Sequence, residues 1–392
     1  MLYWVVVVLK LILIAIITGG IVYYFLGIIA AKKLIKRQLK TFTANNLGIS
    51  ILKPLKGVED GLEQYLTSFY LLDYPKFEII FAVHTKDDPA VEVVNRLISR
   101  YPKVKSCLVI AENPPYANAK VYSLEQMAKV AAFDILVITD SDTSVAKDYL
   151  NAIAEAFQSE KVGAMTNLYR GVAANDFWSK LEALGMSSEF MSGVIVAEWL
   201  EGMKFTLGPS MAIRKSNLAE IGGFAAMADF LADDFVLGNW VAEKGSEVVL
   251  STHVINHHAT SPGFLLSFKH RLRWNRSTRF SRPSGYIGQG FTYGLSWAFL
   301  GIFLLPLPYG LFLFLFTLII RWLLAIQVGV YLLEDKTIYR HLFLIPLQDF
   351  ISFASWLGGF LGSEISWRNR RFRIVAGGRF IPIEGEIKNE LS

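Results

Sequence analysis

Cysteine is almost absent: Cys107 is the only one in 392 residues. A single thiol excludes an intramolecular disulfide and cannot supply the clustered thiolates of a structural zinc site, which fits a main domain in the cytosol. Charge is also sparse, at 19% of residues against 53% hydrophobic. That balance is too apolar for an ordinary soluble protein and not apolar enough for a chain wholly buried in lipid, so a mixed soluble and membrane protein is expected. The formal net charge is +5. Its basic residues gather beside the apolar runs, so an anionic membrane surface accounts for them and nucleic acid is not an expected partner. Low-complexity stretches and convincing internal repeats are lacking. The length suits one substantial domain plus several membrane segments, and is too short for two large domains and a membrane bundle.

The apolar residues that are present lie at the two ends. Leu11 to Ala31 is an almost unbroken apolar run, long enough at helical rise to cross about 30 Å of hydrocarbon. Lys32, Lys33, Lys36, Arg37 and Lys40 come directly after it, whereas the other flank offers Lys10 and the amino terminus. The positive-inside bias therefore puts the chain beyond Lys40 in the cytosol, and the run reads as a signal anchor, since a cleaved signal peptide has a basic front and a shorter apolar core. After Tyr286 come Phe291 to Leu305, a break at Pro306, Pro308 and Gly310, then Leu311 to Leu333 and His341 to Gly362. The first two make a helical hairpin. The third carries Pro346, Gln348 and Asp349 and precedes a tail with Arg368, Arg370, Arg371 and Arg373; a full crossing would put that tail outside, so a re-entrant or interfacial segment is favoured over a third crossing, which stays open. The expected organisation is an anchor at 1–40, a cytosolic domain at 41–285, membrane segments at 286–365 and a basic cytosolic tail at 366–392.

Between Ser50 and Arg282 short β-rich runs alternate with helical stretches: Phe77 to Val83, Val104 to Ile110, Ile135 to Thr139, Val162 to Thr166. These runs are apolar on both faces, as strands of a mostly parallel sheet covered by helices must be, so the class is α/β. Asp176 to Leu200 contains Lys180, Glu182, Glu189 and Glu198 and reads as an amphipathic helix apposed to the membrane.

The informative acidic residues sit where strands end. Asp140 and Asp142 close the run Ile138-Thr139, in the crevice beyond a strand's carboxyl end where open α/β sheets bind ligands. Two carboxylates there can hold Mg²⁺ or Mn²⁺ against substrate phosphates, although an Asp-x-Asp also occurs in surface turns. Asp87-Asp88-Pro89 comes after another strand and serves the same crevice, a helix N-cap, or both at once. Lys120 either faces a diphosphate or uracil or is a solvated lysine. Asp233-Asp234 is flanked by apolar residues, unlike an exposed polar face, and one of the pair is a candidate base. His270-Arg271-Leu272-Arg273-Trp274 sets an aromatic beside cations: Arg273 can fork onto phosphate and Trp274 can stack on a sugar, or the stretch is an interfacial belt.

In this order, Asp88, Asp140, Asp234 and Arg273-Trp274 resemble the three spaced aspartates and (Q/R)xxRW of processive-type and lipid-directed family 2-like glycosyltransferases. Within that group the sequence is most similar to ceramide glucosyltransferases (glycosyltransferase family 21) and their bacterial lipid- and hopanoid-directed relatives. Leu52-Lys53-Pro54-Leu55-Lys56-Gly57-Val58, Leu72-Asp73-Tyr74-Pro75-Lys76, Asp87-Asp88-Pro89-Ala90 and Ile365-Ser366-Trp367-Arg368 carry the likeness, which covers nearly the whole chain.

The resemblance implies a GT-A domain flanked by transmembrane helices, in a bacterial inner membrane or the Golgi. It implies a UDP-sugar donor, UDP-glucose foremost, a membrane lipid acceptor such as ceramide, and inversion by direct displacement. It implies Asp88, Lys120, Asp140, Asp142, His270, Arg273 and Trp274 in donor binding, a divalent metal on Asp140 and Asp142, and Asp234 as base. The sequence departs from the pattern at His270, where Gln or Arg is usual; a neutral imidazole donates one hydrogen bond at most. Hopanoid or diacylglycerol acceptors with UDP-N-acetylglucosamine, a polysaccharide synthase, and a non-catalytic scaffold for lipid synthesis are the competing readings.

Overall fold

The computed structural model describes residues 1–38, 46–261, 263–367 and 370–383. Lys40 and Arg368, counted above among the basic flanks, lie outside the described residues, as does the tail past residue 383. The chain forms two compact units. One comprises Met1–Arg37, Arg170–Leu200 and Ala259–Gly378; the other is built from Gln38–Tyr169, Glu201–His258 and the residues from Arg379 onward.

The second unit is organised by an eight-stranded sheet. Its strands are β1 (Ile49–Pro54), β2 (Phe77–Val83), β3 (Ser106–Ile110), β4 (Ile135–Thr139), β5 (Thr143–Ser144), β6 (Val162–Ala173), β7 (Ser210–Arg214) and β8 (Glu247–Ala259), in the order β3-β2-β1-β4-β7-β6-β8-β5. The β3-β2-β1-β4 half is parallel, with Ile51 paired to Ile79 on one side and to Val137 on the other. All five residues of β4 are buried, as expected for a strand covered on both faces. Helices Leu62–Tyr70, Ala90–Arg100 and Ala119–Val130 connect successive parallel strands. The chain runs outward through β1, β2 and β3 and returns to β4 on the other side of β1, so the β1/β4 boundary is a topological switch point, where such sheets bind ligands. Beyond it β7 runs antiparallel to β4, with Val137 opposite Ala212.

The expected run Val104–Ile110 becomes a strand from Ser106, and the run from Val162 continues to Ala173 instead of stopping at Thr166. Strands β1, β5, β7 and β8 were not among the expected ones. β1 hides Lys53 in its buried face and β8 carries three histidines and an asparagine, so neither reads as an apolar run.

The first unit holds the helices long and apolar enough to cross a membrane: Leu2–Arg37, Leu307–Leu332 and Thr337–Gly359. A fourth candidate is the pair Pro283–Thr292 and Gly294–Leu304, bent by 57° at the break between them. The amino-terminal helix therefore extends well past the expected Leu11–Ala31 at both ends, and the third carboxy-terminal segment is long enough to span. Helix approach is close where side chains are missing. A Cβ on Gly20 would lie 2.4 Å from Gly294 Cα, a backbone contact of the kind that small residues allow in membrane bundles. Residues 177–201 form a helix interrupted by a π-turn at Met186–Phe190 and capped by Asp176, whose Oδ1 accepts from Ser179 N at 2.9 Å. Near the carboxyl end, β9 (Glu364–Trp367) and β10 (Arg370–Ile374) form an antiparallel hairpin, with Ile365 opposite Phe372.

Candidate active site

The switch point of the sheet carries a compact set of charges. Lys53, near the end of β1, is fully buried. Its ammonium donates to the Asp140 carbonyl at 2.8 Å, Thr139 Oγ1 at 3.1 Å and Thr143 Oγ1 at 3.3 Å, and lies 3.9 Å from the centre of the Phe69 ring. One buried cation thus pins the turn from β4 to β5, which presents Asp140 and Asp142. Burial pushes the Lys53 ammonium down to about 7, against the nearby carboxylates of Asp142 and Asp140.

Asp140 Oδ1 faces Lys120 Nζ at 2.8 Å, and Asp233 Oδ2 lies 3.5 Å from the same nitrogen. Lys120 opens the helix Ala119–Val130, whose Asn118 cap accepts from Val121 N and donates to the Phe230 carbonyl at 2.8 Å. That bond ties the Lys120 helix to the segment leading into Asp233. The side chain of Lys120 is only 13% exposed, so it is not the solvated lysine that its sequence alone allowed. Burial works against its charge, but the carboxylates of Asp140 and Asp233 outweigh it and hold the ammonium well above the ordinary lysine range.

Asp233 and Asp234 begin the helix Asp233–Glu243, where carboxylates meet the positive end of the helix dipole. Asp234 Oδ2 accepts from Gly208 N and Oδ1 from its neighbour Phe235 N, both at 2.8 Å. Gly208 joins the two acids: a Cβ there would lie 3.1 Å from Asp234 Oδ2 and 3.4 Å from Asp140 Oδ2. Burial first, and then the charge of Asp233, push the Asp234 carboxyl up to about 6, against the pull of Lys120 and the two amides. A carboxyl poised there is ionised at neutral pH yet basic enough to take a proton.

Asp142 lies across the turn from Asp140. Its Oδ2 meets His257 Nε2 at 3.2 Å and its carbonyl accepts from His258 N at 2.8 Å. Burial acts to raise its carboxyl, but His257 and Lys53 hold it below the usual carboxylate range. His258 stacks on Tyr65 with ring centres 3.7 Å apart, and burial pushes its imidazole down to about 4. Among the described residues no group of three or more His, Cys, Asp or Glu is arranged to hold a metal ion. Yet Asp142 Oδ1 is buried with no hydrogen-bond partner among them. Two carboxylates with an open oxygen fit a hard cation that keeps waters and takes substrate phosphates as its remaining ligands.

Asp88 stands apart from this cluster. Both of its oxygens accept from Gly57 N, at 3.0 and 3.1 Å, and Oδ1 also accepts from Ala90 N at 2.9 Å. It starts a helix, the bland alternative for an acid before proline, and also clamps the loop after β1, where Gly57 needs φ +69°.

His270, Arg273 and Trp274 stand on the helix Phe264–Ser281, in the first unit. Buried Glu182 takes three hydrogen bonds there: from Ser261 Oγ, from Ser267 Oγ at 3.3 Å and with His270 Nδ1 at 3.0 Å. The imidazole lies 4.3 Å from the Trp274 ring. With Nδ1 held by a carboxylate, Nε2 is the nitrogen left for a ligand. Arg271 is buried and donates to Gln348 Oε1 at 2.9 Å and Ser352 Oγ at 3.2 Å, whereas Arg273 is half-buried. The alternating arginines therefore have different surroundings, and only the second has an accessible side chain.

A family model described as Glycosyl transferase family 21 matches residues 11–380. The chain belongs to that family. This glycosyltransferase is 26% identical over 342 residues to ceramide glucosyltransferase 1 of Caenorhabditis elegans, covering 85% of this chain and 72% of the relative. It is 25% identical over 188 residues to beta-monoglucosyldiacylglycerol synthase of Trichormus variabilis, covering 45% and 37%. The mannosyltransferase PcManGT from Pyrobaculum calidifontis, solved in complex with GDP-Man and Mn²⁺, matches at TM-score 0.53 and 20% identity, covering 90% of this chain and 99% of that one. That likeness shows the fold, which is GT-A, and membrane association is supported by the long apolar helices of this family 21 chain.

Sequence reasoning missed Lys53, Glu182 and His257. Lys53 was visible only as part of a matching stretch, and a lysine inside a short apolar strand is the signal that could have found it. Glu182 looked like the polar face of an amphipathic helix, and His257 needed the β5–β8 pairing, which sets it opposite Thr143.

Proposed function

We propose that this glycosyltransferase moves a hexose from a UDP-sugar, UDP-glucose foremost, to the hydroxyl of a membrane lipid such as ceramide, at the cytosolic face of a bilayer. The observation that carries the reading is the poised Asp234 carboxyl set beside the Lys120–Asp140 pair at the sheet's switch point. The lipid acceptor is supported by the names of the relatives, one acting on ceramide and one producing a glucosyldiacylglycerol. A lipid that stays in the bilayer also gives a physical reason for apolar helices at both ends of the chain.

In this mechanism the acceptor hydroxyl attacks the anomeric carbon from the face opposite the leaving group. The new carbon–oxygen bond forms as the bond to the β-phosphate oxygen breaks; the proton passes to Asp234 and the electron pair leaves with the nucleoside diphosphate. Asp140 and Asp142 would hold Mg²⁺ or Mn²⁺, which when bound neutralises charge on the departing diphosphate. Lys120 orients Asp140, and Lys53 fixes the turn that presents both acids. Asp88 acts on donor binding through the Gly57 loop that it clamps. His270 Nε2, Arg273 and Trp274 serve the donor's diphosphate and sugar. In sequence, the catalytic region, 41–285, follows the amino-terminal anchor and precedes the carboxy-terminal membrane segments.

The test is a transfer assay on the full chain in detergent, with UDP-glucose and UDP-N-acetylglucosamine against ceramide, diacylglycerol and hopanoid acceptors, products read by mass spectrometry. One added hexose on a lipid, formed from UDP-glucose, is expected. Long oligomers would replace the reading with a polymer synthase, and absence of donor binding and transfer with every pair would replace it with a scaffold.

A further inference from the structure

The segment that leads into the helix of Asp233 and Asp234 is held from outside. Residues 228–230 lie between the turn Phe224–Met227 and the helix Asp233–Glu243, and all three of their carbonyls accept from residues far away in sequence. The Ala228 carbonyl accepts from Asn118 N at 3.1 Å, the Asp229 carbonyl from Phe380 N at 2.8 Å and the Phe230 carbonyl from Asn118 Nδ2 at 2.8 Å. Asn118 is fully buried at the head of the helix that carries Lys120. Phe380 comes from the far end of the chain.

The chain leaves the second unit at Ala259 and rejoins it at Arg379, so the donor to Asp229 is contributed by the carboxy-terminal residues of that unit. Arg379 forms an antiparallel bridge with Phe230 and sets its guanidinium 5.5 Å from the centre of the Phe230 ring. Phe380 itself is 1% exposed, which seats the end of the chain firmly. Phe230 in turn meets Trp240 edge-on, with ring centres 5.4 Å apart. Trp240 belongs to the helix Asp233–Glu243. The contacts made by Arg379 and Phe380 therefore end on the helix that opens with the two acids.

Asn118 alone would hold the segment from one side, that of the Lys120 helix. The carboxy-terminal residues hold the carbonyl in between, Asp229, and the ring that follows it. A base acts only within hydrogen-bond reach of the proton it takes, and a shift of about 1 Å in a reacting group can cost about 10²-fold in rate. The Lys120 helix keeps its own cap, with Asn118 Oδ1 accepting from Val121 N at 3.2 Å, so it does not depend on Phe380.

We infer that Phe380 is a positioning residue for the base: Arg379 and Phe380 form a carboxy-terminal strap that fixes the segment before Asp233, and through it the place of the Asp234 carboxyl. The inference rests on the reading of Asp234 as the base. It assigns the strap to turnover and not to donor binding.

The experiment measures kcat per UDP-binding site in the full chain, so that unfolded molecules are not counted, for Phe380→Ala, Phe380→Leu and Ile381→Ala, with Phe380→Ala also made in an Asp234→Asn background. Phe380→Ala should lower kcat by about 10 to 100-fold with UDP affinity unchanged, and Phe380→Leu should recover most of the loss. Ile381, next in the chain and 53% exposed, should tolerate alanine without effect. With the base removed its position no longer matters, so in the Asp234→Asn protein Phe380→Ala should cost less than about twofold, a coupling that a merely structural contact does not show. Phe230→Leu, which loosens the strap from the opposite side, should repeat the pattern and serves where Phe380→Ala does not fold. Normal kcat in these folded variants, or the same loss with and without Asp234, overturns the inference. Near-normal turnover of Asp234→Asn by itself fails the base reading, and this inference with it, whatever the strap variants do.

Discussion

Lys120 Nζ stands 2.8 Å from Asp140 Oδ1, so the first acid of the Asp-x-Asp turn is paired to a protein cation before any ligand arrives. The same nitrogen leans on Asp233, and a site rich in carboxylates is thereby kept from repelling a diphosphate outright.

Replacing Lys120 with Met would leave Asp140 and Asp233 without this partner. Unfolding in denaturant should show a loss of about 1–3 kcal/mol, below the full range for a deeply buried pair because Asp140 is partly exposed. Donor affinity, measured by titration with UDP, should fall as well. A variant with wild-type stability and UDP affinity would contradict the role given to Lys120.

His257 supports Asp142 from the strand behind it. His257→Gln should weaken binding of Mn²⁺ by about 10 to 100-fold, the usual cost of losing a group that orients a ligand. Calorimetric titration of the full chain with Mn²⁺ in the presence of UDP reads this directly. Chelation should abolish transfer by the wild type, with recovery on adding Mn²⁺ or Mg²⁺.

Lys53→Met tests the buried cation under the turn. Because the folded ammonium is pushed down to about 7, its contribution to stability is present above the unfolded value near 10.4 and is lost as pH falls through about 7. Wild-type stability should therefore gain on Lys53→Met as pH is raised from 7 to 10, in parallel denaturant titrations. The variant should lose turnover, since the Asp140 carbonyl and two threonine hydroxyls lose their common donor. Identical pH slopes in the two proteins would sink this account of Lys53.

Much of the chemistry was legible before the fold was known because acids at strand ends have few structural reasons to be there. Asp140 is such a residue; Asp234, which opens a helix, stood out because apolar residues flank its pair, and the structure sets both acids around Gly208. The apolar helices were equally legible, since about 20 apolar residues in a row have few soluble explanations. What stayed hidden depends on contacts between distant segments. The interior position of Glu182 emerges only once Ser261 and His270 are packed on it. β8, with its histidines, becomes a strand only through its place in the sheet. Asp88 illustrates the reverse case: a residue singled out by its motif whose oxygens both serve backbone amides.

The role of Asp234 is tested most directly by the pH dependence of kcat/KM for lipid glycosylation, measured for the wild type and for Asp234→Asn with UDP binding recorded in parallel. With its carboxyl pushed up to about 6, the wild type should lose activity below that pH, tenfold for each further unit as the base takes up its proton. Asp234→Asn should bind UDP and turn over about 10² to 10⁴ times more slowly across the range. A folded Asp234→Asn protein with near-normal turnover and the same acid limb would contradict the assignment of Asp234 as the base.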